Sequence, residues 1–379
     1  MRAALGSIKV SKKRGTLQKG MNPLLSIIVI CHEQREELRR CLDSILAMQM
    51  PFEYEIIVSD DRSTDGTRDM LKEYSNERVS ELTNGQGKLV VTYCNSDEGN
   101  CANNSQRSGY NRCNAYPLAK GKYIAHVDAD DYFREGAEVY VKQVKALEKH
   151  PECSLAMSTC MIQNGDDFAS AILWPFPKKM INGEVIDAEE FFDKGYFRLN
   201  QCFMMRRNPD VNPVALYGNR YVDAVITYHH LQYGNVVYVE AWDYMYVKNE
   251  SSVTTKLMSQ SQDYKVVWCV GLFIPLIVPS LKQFCFTGIF YNEIREVIAL
   301  AQSGYRLDSS NYQSLKEFHA YIYDCFGHKI NFIDKYRLWI SDVWMRFMKK
   351  THFINFFSIY LLQQLLYGHI TSLHNYKEK

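Results

Sequence analysis

Three aspartates stand close together in the segment GKYIAHVDADDYFREG, residues 121–136, directly after an apolar run. Carboxylates this close repel one another, so the segment is either a solvated acidic turn or a place where positive charge binds. Only Ala129 separates Asp128 from Asp130, so one carboxylate could bond a ribose while the next ligates a cation. Mg²⁺ and Mn²⁺ prefer oxygen ligands and bridge readily to substrate phosphates. The spacing therefore indicates a divalent cation at Asp130, with a helix-capping acidic turn as the alternative.

Apolar runs and helical spacing predict the elements that position these aspartates. We expect buried strands at Leu24–Ile30, Glu55–Ser59, KLVVTYCN and GKYIAHV, and helices at REELRRCLDSILAM, DGTRDMLKEYSNE and AEVYVKQVKALEKHPE. Thr64 or Asp65 is the expected N-cap of the second helix. Strands that alternate with helices in this way predict a doubly wound α/β sheet. The polar clusters CHEQ, DDRSTDGT and DADD then fall at the carboxyl ends of strands, where such sheets bind ligands.

Composition narrows the classes of function. The chain has 379 residues, enough for one large domain with an appendage or for two domains. Lys and Arg number 44 against 43 for Asp and Glu, so charge gives no support to a nucleic-acid partner. The 11 cysteines show neither a CxxC pair nor zinc-ligand spacing, and we expect reduced thiols in a cytoplasmic protein.

The segments SIIVICHEQREELRRCLDSIL, YEIIVSDDRSTDGTRDML and AKGKYIAHVDADDYF, in this order and spacing, resemble glycosyltransferase family 2. The resemblance implies an inverting enzyme with a GT-A fold, whose mostly parallel sheet has a Rossmann-like nucleotide-binding half. It also implies a nucleoside-diphosphate sugar donor, normally UDP-linked, and a Mn²⁺ or Mg²⁺ cofactor. The implied site residues are Asp60 or Asp61 at the base, Asp128 near the ribose, Asp130 on the metal, and His32 and Glu33 flanking base and ribose.

Some of the family's elements match less closely. CHEQ departs from the small-Tyr-Asn turn that is common in the family, which affects the contacts to the base. Asn104 is the nearest match to the family's Arg-Asn element, and Arg107 and Arg112 are candidates for the diphosphate or for the surface. After the last strand of the domain, the resemblance implies a segment that folds over the substrates, with Lys248 near the β-phosphate and Tyr246 and Ser252 beside it.

An inverting transfer needs a general base on an element separate from the metal site. The resemblance implies an aspartate about ninety residues after the metal ligand, before a helix, a glycine and a strand. Asp223 fits this context, although Val222 replaces the usual preceding acid, and helix capping is the alternative role. The other candidates for the base are Asp193, Glu190 and Asp243. His229 and His230 are expected to serve in packing, with contact of one of them to the metal or the diphosphate as the alternative.

Three regions follow from these observations. Residues 1–22 form a basic tail, residues 23–255 a GT-A domain and residues 256–379 a helical C-terminal region. The domain divides into a nucleotide-binding half, 23–151, and an acceptor half, 152–255, where Trp174 and Phe176 are candidates for an acceptor wall. Basic and aromatic residues after Lys329 suit a helix at the cytoplasmic membrane surface, and equally a bundle packed on the domain or on a second copy.

The sequence therefore predicts a metal-assisted inverting glycosyltransferase that acts on a glycan or a lipid-linked glycan. A sugar nucleotidyltransferase is one alternative, although CHEQREE lacks the glycine-rich basic loop that would hold a triphosphate. A catalytically inactive nucleotide-sugar-binding scaffold is the other, supported by the acid lost before Asp223.

Overall fold

The computed structural model describes residues 23–99, 104–173, 179–193, 202–208, 230–231 and 233–249. The helices are α1 (Arg35–Leu46), α2 (Thr67–Leu71), α3 (Asn76–Leu82), α4 (Asn104–Ala115), α5 (Val139–Lys149) and α6 (Ala188–Asp193). The strands are β1 (Leu25–Cys31), β2 (Tyr54–Asp61), β3 (Gly87–Cys94), β4 (Tyr123–Asp128), β5 (Tyr132–Phe133), β6 (Cys153–Met157), β7 (Met161–Asn164), β8 (Asp167–Leu173), β9 (Val185–Ile186), β10 (Phe203–Arg206), β11 (Asn235–Tyr238) and β12 (Tyr244–Lys248).

A large sheet organises the described part of the chain, in the order β3-β2-β1-β4-β10-β6-β11-β9. The first four strands are mutually parallel, and β10 runs antiparallel between β4 and β6. A second sheet, β5-β12-β7-β8, lies beyond the acidic segment. Strands β1 and β2 are buried throughout, as expected of strands covered on both faces.

Helices cover both faces of the parallel strands, which confirms the doubly wound α/β prediction. Asn114 of α4 donates to the Ser59 hydroxyl at 3.0 Å, while Arg68 of α2 bonds the Asp60 carboxylate at 2.8 Å. Adjacent residues of a strand point to opposite faces, so α4 and α2 lie on opposite sides of β2. The predicted apolar stripe of α1, from Leu38 to Leu46, is buried.

The second predicted helix is two helices, so the prediction of one continuous helix was wrong. The Ser75 hydroxyl accepts a hydrogen bond from the Arg78 amide at 3.3 Å and starts α3 as its N-cap. At the start of α2, Gly66 occupies the N-cap position with φ +91°. Asp65, one of the two predicted caps, still bonds the Thr67 amide at 3.0 Å from one residue further back.

A buried carboxylate fixes the start of β4, the strand that leads to the aspartates. Glu55 on β2 accepts the Ser26 hydroxyl and the Lys120 amide, both at 2.7 Å. The Ser26 oxygen in turn accepts the Gly121 amide at 2.8 Å. A Cβ on Gly121 would stand 2.5 Å from the Ser26 nitrogen and 2.7 Å from the Leu25 carbonyl carbon. Only glycine fits at this position without a shift of the backbone.

We predict that Gly121→Ala lowers the free energy of unfolding by about 3 kcal/mol, because the new methyl group overlaps main-chain atoms that cannot move cheaply. Gly136→Ala is the control: it has open space but φ +73°, and should cost only about 1 kcal/mol. Denaturant unfolding of both variants measures the difference, and equal losses would contradict the close approach of β4 to β1.

Candidate active site

The carboxyl ends of three parallel strands bring the predicted polar clusters to one edge of the sheet. In the strand register, Cys31 of β1 pairs with Asp60 of β2, and Ile30 pairs with Asp128 of β4. The acidic end of β2 and the acidic end of β4 are therefore separated by the width of a single strand. The structure thus assembles CHEQ, DDRSTDGT and DADD as neighbours, which the sequence pattern had indicated.

Asp60 and Asp61 point to opposite faces and have different partners. Asp60 is completely buried, with one oxygen bonded to Arg68 and the other near the Ser63 amide at 3.3 Å. Asp61 is 4% exposed, and its Oδ1 accepts the Ser96 amide at 2.9 Å and the Arg62 Nε at 3.3 Å. The Oδ2 of Asp61 makes no hydrogen bond to the residues described. Asp61 rather than Asp60 therefore has an acceptor available to a ligand.

The loops after β1 and β2 are joined by side-chain hydrogen bonds. His32 Nδ1 donates to the Asp61 carbonyl, since a carbonyl oxygen can only accept. Glu33 has φ +54°, and its carboxylate accepts the Thr64 amide at 2.7 Å. The Glu33 amide donates to the Ser63 hydroxyl at 2.8 Å. His32 and Glu33 are exposed beside Asp61, and the carboxylate of Glu33 is partly committed to holding the two loops together.

Asp128 is paired with an arginine from the helix that covers its face of the sheet. Arg112 Nη2 lies 2.6 Å from Asp128 Oδ1, with side-chain exposures of 5% and 29%. A second nitrogen of Arg112 donates to Ser108 at 3.0 Å. Of the two roles considered for Arg112, the exposed surface position is wrong, because α4 turns this arginine inward toward the end of β4 and leaves it 4% exposed as a whole residue. Arg112 neutralises Asp128 and leaves the Oδ2 of that carboxylate for other contacts.

Asp131 serves as an anchor. Its carboxylate is fully buried, with one oxygen accepting the Tyr244 hydroxyl at 2.7 Å and the other accepting the Val247 amide at 2.9 Å. Burial, and next the charges of Asp130 and Asp128, raise the pKa of Asp131 well above its usual value. Both bonds reach β12, so Asp131 fixes the acidic turn to the second sheet.

Asp130 lies between Asp128 and Asp131 in the sequence and, unlike them, has no side-chain partner from another residue that the structure describes. Apart from its own main-chain amide, its carboxylate has no hydrogen-bond or ion-pair partner in the part of the chain that the structure describes. Burial, and then the neighbouring charge of Asp128, raise its pKa to about 7. A carboxylate in this state is costly to ionise alone and gains from a cation. Geometry and electrostatics thus single out Asp130 among the three aspartates as the one suited to a metal.

The remaining predicted residues are placed unevenly. Arg107 reaches Asp97 at 2.9 Å and the Ser96 hydroxyl at 3.2 Å, and Asp97 also pairs with Arg62. This ionic cluster, which the sequence did not signal, borders Asp61. Asn104 is the first residue of α4, and Lys248 is exposed at the end of β12.

The proposed general base, Asp223, lies outside the described residues, as do His229, Ser252, Trp174 and Phe176. Among the other candidates for the base, Glu190 and Asp193 lie in the short helix α6. Asp243 accepts the Glu138 amide at 2.9 Å, just before α5, which is a structural use of that carboxylate. His230 is 1% exposed, consistent with the packing role expected for it.

A divalent cation fits this edge in the way Mg²⁺ and Mn²⁺ are commonly held. Within the described ranges, no group of three His, Cys, Asp or Glu side chains could enclose a metal. Asp130 together with the free oxygen of Asp128 offers two carboxylate positions. Magnesium-type sites often use one or two carboxylates and take their other ligands from substrate phosphates and water. The residues fit a metal that binds together with a diphosphate.

Comparisons with known proteins show which family this chain resembles. Residues 26–211 match the family model for glycosyl transferase family 2. A poly(ribitol-phosphate) beta-glucosyltransferase of Bacillus spizizenii is 27% identical over 197 residues, 51% of this chain and 27% of that protein. The UDP-Glc:alpha-D-GlcNAc-diphosphoundecaprenol beta-1,3-glucosyltransferase WfaP of Escherichia coli is 31% identical over 112 residues, 29% of this chain and 36% of that protein. The chain thus spans roughly a third or less of these two relatives.

Among solved structures, S. aureus TarS 1-349 in complex with UDP-GlcNAc superposes with a TM-score of 0.45 at 16% identity, covering 84% of this chain and 79% of that one. In the described residues, no helix is both long and apolar enough to span a membrane. The parallel sheet, its acidic strand ends and the family match together define the class of this domain, glycosyl transferase family 2. Through residues 26–211, the chain belongs to glycosyltransferase family 2.

The raised pKa of Asp130 predicts how stability changes with pH in the metal-free protein. Between the unfolded pKa of 3.8 and the folded value of about 7, the folded state holds the proton more tightly, so stability falls as pH rises. Asp130→Asn removes this loss. The stability advantage of the variant should widen by about 2 kcal/mol from pH 5 to pH 8 in EDTA.

Asp69→Asn is the matched control for this measurement, because Asp69 is an exposed aspartate paired with Lys72. Denaturant unfolding at several pH values should show no widening for the control. An advantage of Asp130→Asn that stays constant or shrinks toward pH 8 would contradict the crowded environment assigned to this carboxylate.

Proposed function

We propose that this protein transfers a sugar from a UDP-sugar to a hydroxyl group of a glycan or lipid-linked glycan, with inversion at the anomeric carbon. One observation carries the proposal. The open carboxylates of Asp61 and Asp130 stand at the same sheet edge of a family 2 domain, with Asp128 between them. A base-binding acceptor and a metal-binding acceptor at one edge of the sheet suit the two ends of a nucleoside diphosphate.

The hydrogen bonding of Asp61 favours uracil as the base. Its Oδ1 is taken by the Ser96 amide and Arg62, so a single oxygen remains for a ligand. Uracil presents one imide N–H between two carbonyls and needs one acceptor. Guanine presents two adjacent donors, which a carboxylate meets best with both oxygens. The printed name of the E. coli relative includes UDP-Glc as its donor, which supports the same choice.

Asp130, with the free oxygen of Asp128, would hold Mn²⁺ or Mg²⁺ at the diphosphate. A cation bound there would stabilise negative charge on the departing nucleotide. Arg112 pairs with the Asp128 carboxylate and orients it from behind. Lys248, exposed where β12 ends, is proposed to approach the β-phosphate.

Asp223 is proposed as the general base. It would take the proton of the acceptor hydroxyl while that oxygen attacks the anomeric carbon from the face opposite the leaving diphosphate. An α-linked donor then gives a β-linked product. Both relatives described above carry a beta-linkage in their names, which supports an inverting reaction.

The acceptor is proposed to be a surface polysaccharide or its lipid-linked precursor. The relatives' names specify poly(ribitol-phosphate) in one case and a diphosphoundecaprenol-linked sugar in the other. Such acceptors fit a cytoplasmic protein that attaches peripherally to the membrane through residues 256–379, and we include this location in the proposal.

The two alternatives are less well supported. A sugar nucleotidyltransferase needs free backbone amides after β1 to cradle a triphosphate. Here the Glu33 amide is taken by Ser63, and the Glu33 carboxylate adds negative charge at the same place. An inactive scaffold would bind the nucleotide sugar without turning it over. The assays of sugar transfer and UDP binding described next distinguish this alternative from an enzyme.

Asp130→Ala and Asp223→Ala should both reduce sugar transfer by about 100-fold or more, because one removes the metal ligand and the other the base. Only Asp130→Ala should also abolish the gain in UDP affinity that Mn²⁺ confers. Calorimetric titration with UDP, with and without Mn²⁺, and release of UDP from the donor measure the two effects.

Asp69→Ala, at an exposed aspartate outside the site, is the control for these assays and should behave as the wild type. Transfer that survives in Asp223→Ala would exclude this residue as the base. A wild-type protein that binds UDP with Mn²⁺ but releases no UDP from any donor sugar and acceptor would favour the scaffold alternative.

We also predict that UDP raises the melting temperature of the protein more than GDP does, and that Mn²⁺ enlarges the shift. The reason is the single free oxygen of Asp61, which pairs with the uracil imide. Thymine carries the same imide, so dTDP should act like UDP, whereas GDP should not. A larger shift with GDP would overturn the assignment of the base.

A further inference from the structure

Arg40, on α1, is the second arginine that reaches the acidic turn. Its Nη2 donates to the main-chain carbonyl of Asp130 at 3.2 Å. Its Nη1 bonds the Asp166 carboxylate at 2.7 Å, in the turn between β7 and β8. Its guanidinium also lies over the Tyr132 ring, 4.7 Å from the centroid. One side chain thus contacts the acidic turn, β5 and the β7–β8 turn together.

The salt bridge between Arg40 and Asp166 contributes little to the stability of the protein. Asp166 is 92% exposed in its side chain, and exposed pairs stabilise a protein by about 1 kcal/mol at most. Arg40 Nε is buried without a hydrogen-bond partner among the described residues, which is itself unfavourable. A guanidinium held in this way is better explained by the geometry it maintains at the turn than by stability.

The carbonyl that Arg40 binds belongs to the residue whose carboxylate is open. Around it, the Ala129 amide bonds Ile30 at 3.2 Å and the Asp131 amide bonds Asp128 at 3.0 Å. The carboxylate of Asp131 is fixed to β12. Since the Asp130 side chain bonds only its own main-chain amide among the described residues, its direction is set through the main chain. Arg40 is the side chain that contacts the main chain at Asp130.

We propose that Arg40 is a positioning residue for Asp130, holding its peptide so that the carboxylate is already directed at the diphosphate site when the metal and nucleotide arrive. This inference rests on the proposed function. Because Arg40 also bonds the β7–β8 turn, it links the metal-binding turn to the acceptor half of the domain. Preorganisation of this kind improves binding, because the Asp130 carboxylate no longer has to be ordered when the metal binds.

The direction of the expected effect separates positioning from plain electrostatics. A positive charge close to a metal site repels the cation, so removing Arg40 for its charge alone would tighten Mn²⁺ binding. If Arg40 positions Asp130, its removal weakens Mn²⁺ binding in spite of the lost repulsion. Arg40→Lys keeps the charge and loses the planar fork that reaches both the carbonyl and Asp166.

The test is calorimetric titration of UDP into the full chain, with Mn²⁺ and with EDTA, for Arg40→Met and Arg40→Lys. We expect the Mn²⁺-dependent gain in UDP affinity to fall about tenfold in Arg40→Met and severalfold in Arg40→Lys, while affinity in EDTA stays within twofold. Arg39→Met is the matched control, on the same helix, where the arginine pairs with Glu73 instead. It should match the wild type.

Three results would overturn the inference: an unchanged Mn²⁺ gain in both variants, a larger gain, or equal weakening with and without the metal. Arg40→Lys keeps the test valid if Arg40→Met does not fold. The proposed function fails separately, if the wild type shows no Mn²⁺-dependent binding of UDP or if Asp130→Ala keeps it. If Asp130→Ala loses the gain and both Arg40 variants retain it, only the role of Arg40 is rejected.

Discussion

Mutual repulsion among Asp128, Asp130 and Asp131 is the constraint on which this site depends. Three charged carboxylates within four residues are costly beside a buried strand end, and each of them has a different environment. Asp128 is neutralised by Arg112, and Asp131 is bonded to Tyr244 and the Val247 amide. Asp130 is left with a raised pKa, because its charge is costly beside Asp128. A cation bound as proposed would relieve this electrostatic cost.

The same division of roles connects the two halves of the domain. Asp128 faces back to α4 of the nucleotide-binding half, whereas Asp131 reaches forward to β12, which ends at Lys248. The acidic turn is thus held from both sides, and the open carboxylate lies between two fixed neighbours. A catalytic group so placed can be aligned without many direct contacts of its own.

The sequence predicted the parallel strands, because strands buried on both faces appear as unbroken apolar runs. It also predicted the edge at which the polar clusters meet, because parallel strands place their carboxyl ends at the same edge of the sheet. It could not tell the three aspartates apart. Their partners lie far along the chain: Tyr244 is 113 residues from Asp131, and Arg112 is 16 residues from Asp128. The break at Ser75 did carry a signal, an N-cap residue, which helical periodicity outweighed. The role of Arg40 could not be predicted from the sequence, because Asp130, Tyr132 and Asp166 lie about 90 or more residues further along the chain.

The antiparallel direction of β10 has a consequence for how proteins with this sheet can vary. Since β10 runs antiparallel between β4 and β6, those two strands remain parallel and both open toward the same edge. The chain that leaves β6 therefore continues beside the edge that carries the acidic strand ends, without crossing it. Segments after Met157 can differ in length while β1 to β4 keep their register. If this edge binds a nucleotide sugar as proposed, such changes would alter the acceptor and leave the donor site intact.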